Sequence, residues 1–219
     1  MAFYREQTGE LLLKILYVGA SGSGKTSNFK ALYHHTKLGP LNWTQKQFNF
    51  SRCTAPFDFL PLKLGEIRSC HTVVHLFSLP PLDLWPVTEQ TLLRGVDGLI
   101  FICDSRPQNF WKTCLYLEKL EKLIFPLTKN EVPRVYQWNF KDSKKTLSLN
   151  ALQVGFNQEK HSSVEAVAAT GLGVVDTLNV LVQRLLTQME NSQKNLQVNQ
   201  SLEVQESLAD LRRDAAFDL

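Results

Sequence analysis

The chain has 219 residues, of which 43% are hydrophobic and 21% charged, with a net charge of +3. That length suits one α/β domain with a substantial core and a short appendage, and so mild a charge, without a dense basic cluster, argues against nucleic acid as a ligand. The N-terminus lacks a signal-peptide pattern, no apolar run approaches a membrane span, and Cys53, Cys70, Cys103 and Cys114 have neither metal-type nor Cys-x-x-Cys spacing. A reduced, cytoplasmic protein without an integral membrane segment is expected.

Leu11 to Val18 is short and apolar, interrupted only by Lys14, and reads as a buried strand. It leads into Gly19-Ala20-Ser21-Gly22-Ser23-Gly24-Lys25-Thr26, a full G-x-x-x-x-G-K-[ST] phosphate-binding loop. Behind the loop, Phe29, Leu32 and Tyr33 fall at helical spacing. The loop's glycines let backbone N–H groups turn inward around a phosphate, and the helix N-terminus adds its dipole. Gly19, Ser21, Gly22, Ser23, Gly24, Lys25, Thr26 and Ser27 are therefore candidate nucleotide contacts. Lys25 is expected to reach the β- and γ-phosphates, and Thr26 to hold Mg²⁺.

Lys37 to Ala55 is a long polar and aromatic connection, of the kind that is usually functional in compact domains. Phe57 to Leu62 alternates like a strand, with Pro61 suggesting an edge or a bulge. His71 to Ser78 is a β-branched strand, expected to pair with it as a hairpin through Gly65–Arg68. The prolines of Ser78-Leu79-Pro80-Pro81-Leu82-Asp83 lack N–H groups and cannot continue a central strand. A short helix over Glu89–Arg94 precedes Gly95-Val96-Asp97-Gly98, and Leu99 to Asp104 is the most apolar strand, as expected of a parallel strand buried on both faces. Phe110, Cys114, Leu117 and Ile124 mark a helix, and Val132 to Trp138 another strand. Asn139-Phe140-Lys141-Asp142 follows at that strand's C-terminal end, where ligands bind in open α/β sheets. Ser163 to Ala168 is the last strand, followed by Ala169-Thr170-Gly171-Leu172-Gly173 and a helix carrying Val174, Leu178, Leu181 and Leu185. Residues 190–201 are a polar linker, and Val204, Leu208, Leu211 and Ala215 suggest an amphipathic C-terminal helix within 202–219. Such a short helix is marginal in water on its own.

The order strand, phosphate loop, helix, hairpin and alternating helices and strands is that of Ras-like G domains. More specific are Gly24-Lys25-Thr26, Phe57-Asp58-Phe59-Leu60-Pro61-Leu62 with Leu64-Gly65-Glu66-Ile67-Arg68, Gly95-Val96-Asp97-Gly98, and Thr170-Gly171-Leu172-Gly173-Val174 with Asp176-Thr177-Leu178. These stretches resemble MglA, the family of bacterial Ras-like GTPases that set cell polarity and direct gliding or pilus-based motility. The resemblance covers about residues 10–187. It implies a P-loop Ras-like G domain over 1–189, with a mixed six-stranded sheet flanked by helices, and GTP or GDP with Mg²⁺ as ligands. It places a first switch at about 38–56 and a second at about 78–90, which together form a surface for protein effectors. Thr54 matches the switch threonine that joins Mg²⁺ and the γ-phosphate. Asn139, Lys141, Asp142 and Ala169 fall in the base-recognition stretches. Family partners include a roadblock-type activator and response-regulator-like polarity proteins, and the family's role implies recruitment to a cell pole.

The chain also departs from the family pattern. In the second switch Pro81 replaces a glycine whose N–H bonds the γ-phosphate, and Leu82 replaces the glutamine that orients water. Cys53 stands where MglA carries an intrinsic arginine, and Ser21 where Ras-like loops have glycine. An arginine finger alone is worth on the order of 10³–10⁵ in rate, so very weak or absent hydrolysis is expected, with no catalytic residue assigned. Asn139-Phe140-Lys141-Asp142 replaces Asn-Lys-x-Asp, putting an aromatic ring where a lysine lies along the base. Ser78 takes the place of the acidic magnesium partner, and Asp58 on the neighbouring strand is either a substitute acting through water or an ordinary hydrogen-bonded edge-strand carboxylate. The leading expectation is a GTP·Mg²⁺-binding polarity and motility switch. The alternatives are a cycling GTPase whose activator supplies the catalytic groups, and a nucleotide-free pseudo-GTPase scaffold.

Overall fold

The computed structural model describes residues 3–5, 10–35, 44–50, 53–67, 70–79, 92–124, 126 and 132–191, with backbone alone at 3–5, 44–50, 53–56 and 70. The strands are β1 (Phe3–Arg5), β2 (Glu10–Val18), β3 (Thr44–Phe50), β4 (Cys53–Ile67), β5 (Cys70–Ser78), β6 (Gly98–Asp104), β7 (Arg134–Asn139) and β8 (Ser163–Glu165). The helices are α1 (Lys25–His35), α2 (Phe110–Ile124), α3 (Leu149–Phe156) and α4 over residues 174–191. Six strands form the expected mixed sheet in the order β4-β5-β2-β6-β7-β8, and β3 and β1 extend it to eight. The β4–β5 hairpin is antiparallel, whereas β5, β2, β6, β7 and β8 run parallel. That parallel run places the C-terminal ends of β2, β6 and β7 side by side, with the phosphate loop and Asn139 among them.

β2 is gripped along both edges. One edge pairs with β5 from Glu10 to Tyr17. The other pairs antiparallel with β1 over Glu10–Leu12 and parallel with β6 over Ile15–Val18. Asp97 fills the gap between them: its carboxylate accepts from the Lys14 N–H at 2.8 Å and its own N–H donates to the Lys14 carbonyl at 2.8 Å.

Alternation along the strands sorts side chains to two faces. Leu16, Val18, Phe101, Cys103, Tyr136 and Trp138 pack with Leu117 and Leu120 of α2 and Leu152 and Phe156 of α3. On the opposite face Tyr17 meets Phe29 of α1 edge-on, ring centroids 5.2 Å apart. A Cβ at Gly98 would lie 3.0 Å from Leu181, so the absence of a side chain there lets α4 approach the sheet. Contacts divide the chain into residues 1–181 and a second unit from Val182, of which 182–191 are helical and the rest lies outside the described residues.

Several elements differ from the sequence reading: β1 went unread, β4 runs on through Gly65, Glu66 and Ile67, the residues expected to turn the hairpin, and β8 ends at Glu165 rather than Ala168. The stretch read as one long connection contains β3, paired with β4 from Thr44↔Phe59 to Phe50↔Cys53. α3 went unread, although Ser148 caps it by accepting from the Ala151 N–H at 3.2 Å. Pro61 sits past the end of the β3 ladder, opposite His75 of β5, and a bulge follows between Lys63 and Gly65. The missing N–H therefore interrupts no described ladder on its outer side. Of the short helix expected over Glu89–Arg94 the described residues show Leu92 and Leu93 helical and Arg94 already in a turn, and the amphipathic helix expected within 202–219 lies outside the described residues.

Candidate nucleotide site

The phosphate loop links the end of β2 to the first turn of α1. Gly22 and Gly24 have φ of 80° and 104°, conformations that L side chains rarely adopt. A Cβ at Gly24 would also collide with the Asn139 amide nitrogen. The Lys25 ammonium folds back over the loop and donates to the carbonyls of Gly19 at 2.6 Å and Ala20 at 3.2 Å. Burial is the main cause that lowers its pKa from 10.5 to about 8; Asp58 opposes that shift and Lys112 adds to it. A buried ammonium whose hydrogen bonds go to loop carbonyls is a ready counter-charge for an anion.

Beside it lies a site with cation chemistry. The Thr26 hydroxyl donates to Asp58 Oδ2 at 2.8 Å. Ser78 Oγ donates to the same oxygen at 3.1 Å and accepts from the Asp58 N–H at 2.7 Å. Asp58 is buried, and its Oδ1 has no hydrogen-bond partner. A carboxylate oxygen buried without a donor, next to a threonine hydroxyl, fits a hard divalent cation. Serine at position 78 thus orients a carboxylate supplied from the adjacent strand.

Asn139 ties three loops together. Its amide donates to the Ser23 carbonyl at 2.8 Å, and its side-chain oxygen accepts from the Ala168 N–H at 2.9 Å. Both partners are far away in sequence, so the end of β7 holds the phosphate loop against the start of the 168–173 loop. Ser23 is buried, with its hydroxyl oxygen unpartnered. Ser27 and Ala169 line one groove of about 700 Å³, together with Lys30, His34 and Thr170.

The rest of the base motif is arranged in an unexpected way. Phe140 adopts a left-handed backbone, φ 63°, and its ring carries the Arg106 guanidinium 3.8 Å from its centroid. Arg106 is fixed from the other side by Asp104, through contacts of 2.9 Å to Oδ1 and 2.6 Å to Oδ2. Asp104 also accepts from the Asn109 amide at 2.7 Å. Lys141 turns away to pair with Glu165 at 2.7 Å. Asp142 lies near enough to help raise the Arg106 pKa, after the hydrogen bond and charge of Asp104.

Gly19, Ser21, Gly22, Ser23, Gly24, Lys25, Thr26 and Asn139 therefore share one end of the sheet. Thr54 lies in the β3–β4 ladder opposite Asn49, and its side chain lies outside the described residues. The same holds for Cys53, and Pro81 and Leu82 are outside the described residues altogether. The Arg106–Phe140 stack and Lys112 escaped sequence reading; no local pattern marks either. Among the described residues no helix is long and apolar enough to cross a membrane.

No family model matches the chain. It is 31% identical over 195 residues to the mutual gliding-motility protein MglA of Myxococcus xanthus (strain DK1622), an alignment that covers 87% of this chain and 98% of the relative. The chain belongs to the MglA family of Ras-like small GTPases.

Proposed function

We propose that this protein is a guanine-nucleotide switch that holds GTP·Mg²⁺ with very slow turnover and signals in gliding motility or cell polarity. The observation that carries the nucleotide part is the pairing of Lys25, over the loop carbonyls, with Thr26 and Asp58 beside it. Lys25 and the loop N–H groups would hold the phosphates, while Thr26 and Asp58 would hold Mg²⁺. The cation would neutralise phosphate charge. Thr54 is the remaining candidate ligand from the first switch.

On the base side, Asp142 would accept from guanine N1 and N2. Asn139 has a second amide hydrogen for N7 while keeping its bond to Ser23. The Phe140 ring, braced by Arg106, would give the base a flat neighbour in place of a lysine stem. The slow-turnover part rests on Pro81, Leu82 and Cys53 in the sequence. The motility role rests on the relative's name. Partners would dock on residues 38–56 and 78–90, where a roadblock-type activator or a response-regulator-like protein is the family expectation. Recruitment to a pole belongs to the same proposal.

The test is to denature freshly purified protein and identify the released nucleotide by chromatography. Mostly GTP is expected. Mostly GDP would favour a cycling enzyme whose hydrolysis survives the substitutions, and an empty site that also fails to bind added guanine nucleotide would leave a scaffold.

A further inference from the structure

A second cation meets the phosphate loop from a distant part of the chain. Lys112 stands in the first turn of α2, 91 residues from Ser21, and its ammonium donates to the Ser21 carbonyl at 2.6 Å. Lys25 donates to the two preceding carbonyls, those of Gly19 and Ala20. Three consecutive carbonyls at the leading end of the loop are thus shared between two ammonium groups. The two are close enough for Lys112 to depress the Lys25 pKa. Like charges gathered on one loop repel each other, and an anion between them removes that repulsion.

The orientation of the loop says which part of an anion that would be. The inner phosphates belong at the α1 N-terminus, around Gly24 to Thr26, and the loop lysine reaches the β- and γ-phosphates. Residues 19–21 therefore border the terminal phosphate. Lys112 is solvent-exposed, so its ammonium exchanges a loop carbonyl for a phosphate oxygen without unpacking a core.

We propose that Lys112 is a second phosphate-binding cation that engages the terminal phosphate of a nucleoside triphosphate and discriminates it from a diphosphate. This rests on the nucleotide-switch reading above and adds what selects the bound state. An ammonium on a flexible stem binds a ground-state phosphate as a point charge and lacks the planar fork with which an arginine matches phosphate geometry. It would favour retention of GTP over its cleavage.

The experiment compares fluorescent GTP and GDP analogues binding to wild type, Lys112→Met and Lys112→Arg in the full-length protein, with Mg²⁺. Lys112→Met is expected to weaken GTP-analogue binding about ten-fold, to leave GDP-analogue binding within about two-fold, and to flatten the salt dependence of the GTP form. Lys112→Arg is expected to recover most of the loss, since it keeps the charge. A Met variant that weakens both analogues equally, or neither, overturns the inference alone and makes Lys112 a tie between α2 and the loop. A wild-type protein that binds neither analogue overturns the nucleotide reading and this inference with it.

Discussion

Lys25 makes nucleotide binding depend on pH in a direction that can be worked out. Its pKa in the free protein lies near 8, below the ordinary 10.5, chiefly because the ammonium is buried. About nine in ten molecules then carry the charge at pH 7 and about one in ten at pH 9. Phosphates beside the ammonium favour its charged form, so the complex holds the proton to higher pH than the free protein does. Affinity should be flat below pH 7.5 or so and about ten-fold weaker at pH 9, with a proton taken up on binding. The effect on folding has the opposite sign. A lysine whose folded pKa is lowered costs the free protein stability below that pKa, about 3 kcal/mol here, and the cost fades as pH rises from about 8 to 10.5. Titration with fluorescent nucleotide analogues from pH 7 to 9 measures the first effect. Calorimetry in two buffers of different ionisation enthalpy counts the proton. Affinity that stays level across that range, with no proton uptake, would refute the placement of a depressed lysine at the phosphates.

Three further changes probe the other walls. Asp58→Asn keeps an acceptor for Thr26 but removes the charge, and should weaken Mg²⁺-dependent nucleotide retention by about 10–100-fold, read as faster nucleotide release at a fixed Mg²⁺ concentration. Asn139→Ala strands the Ser23 carbonyl and the Ala168 N–H in a buried site, and should cost about 2–4 kcal/mol in denaturant unfolding of the free protein. Phe140→Ala removes the ring beneath Arg106 and should lower affinity for guanine nucleotide about ten-fold or more by equilibrium binding, while leaving a phosphate-only ligand such as triphosphate unaffected.

The phosphate loop was legible in the sequence because its chemistry is local: the glycines, Lys25 and Thr26 act within eight consecutive residues. The parallel strands were legible for a similar reason, since burial on both faces forces continuous apolar runs such as Leu99–Cys103. β3 was not, because Thr44-Gln45-Lys46-Gln47 carries no apolar alternation and its identity as a strand comes from pairing with β4. The clamp made by Asn139 was hidden too. Sequence reading assigned that residue to the base, yet its side chain also bonds Ser23 and Ala168, residues whose proximity only the folded sheet creates. Asp58 lay between: the missing acid at Ser78 pointed to it, and the Ser78 hydroxyl on its carboxylate supplies the physical link. Lys112 gave no local sign, since a lysine near the start of an amphipathic helix ordinarily faces water.

The double grip on β2 has a consequence for the order in which the molecule comes apart. A strand bonded along both edges, by β5 on one side and by β1, Asp97 and β6 on the other, exchanges its amide hydrogens only when its neighbours also let go. The phosphate loop hangs from the end of that strand. It should therefore open late, whereas the 168–173 loop on the base side is attached behind the three-residue strand β8, which among the described residues pairs on one edge, to β7. Local opening should therefore begin at the base and reach the phosphates last, so that a departing nucleotide lets go of its two ends in that order.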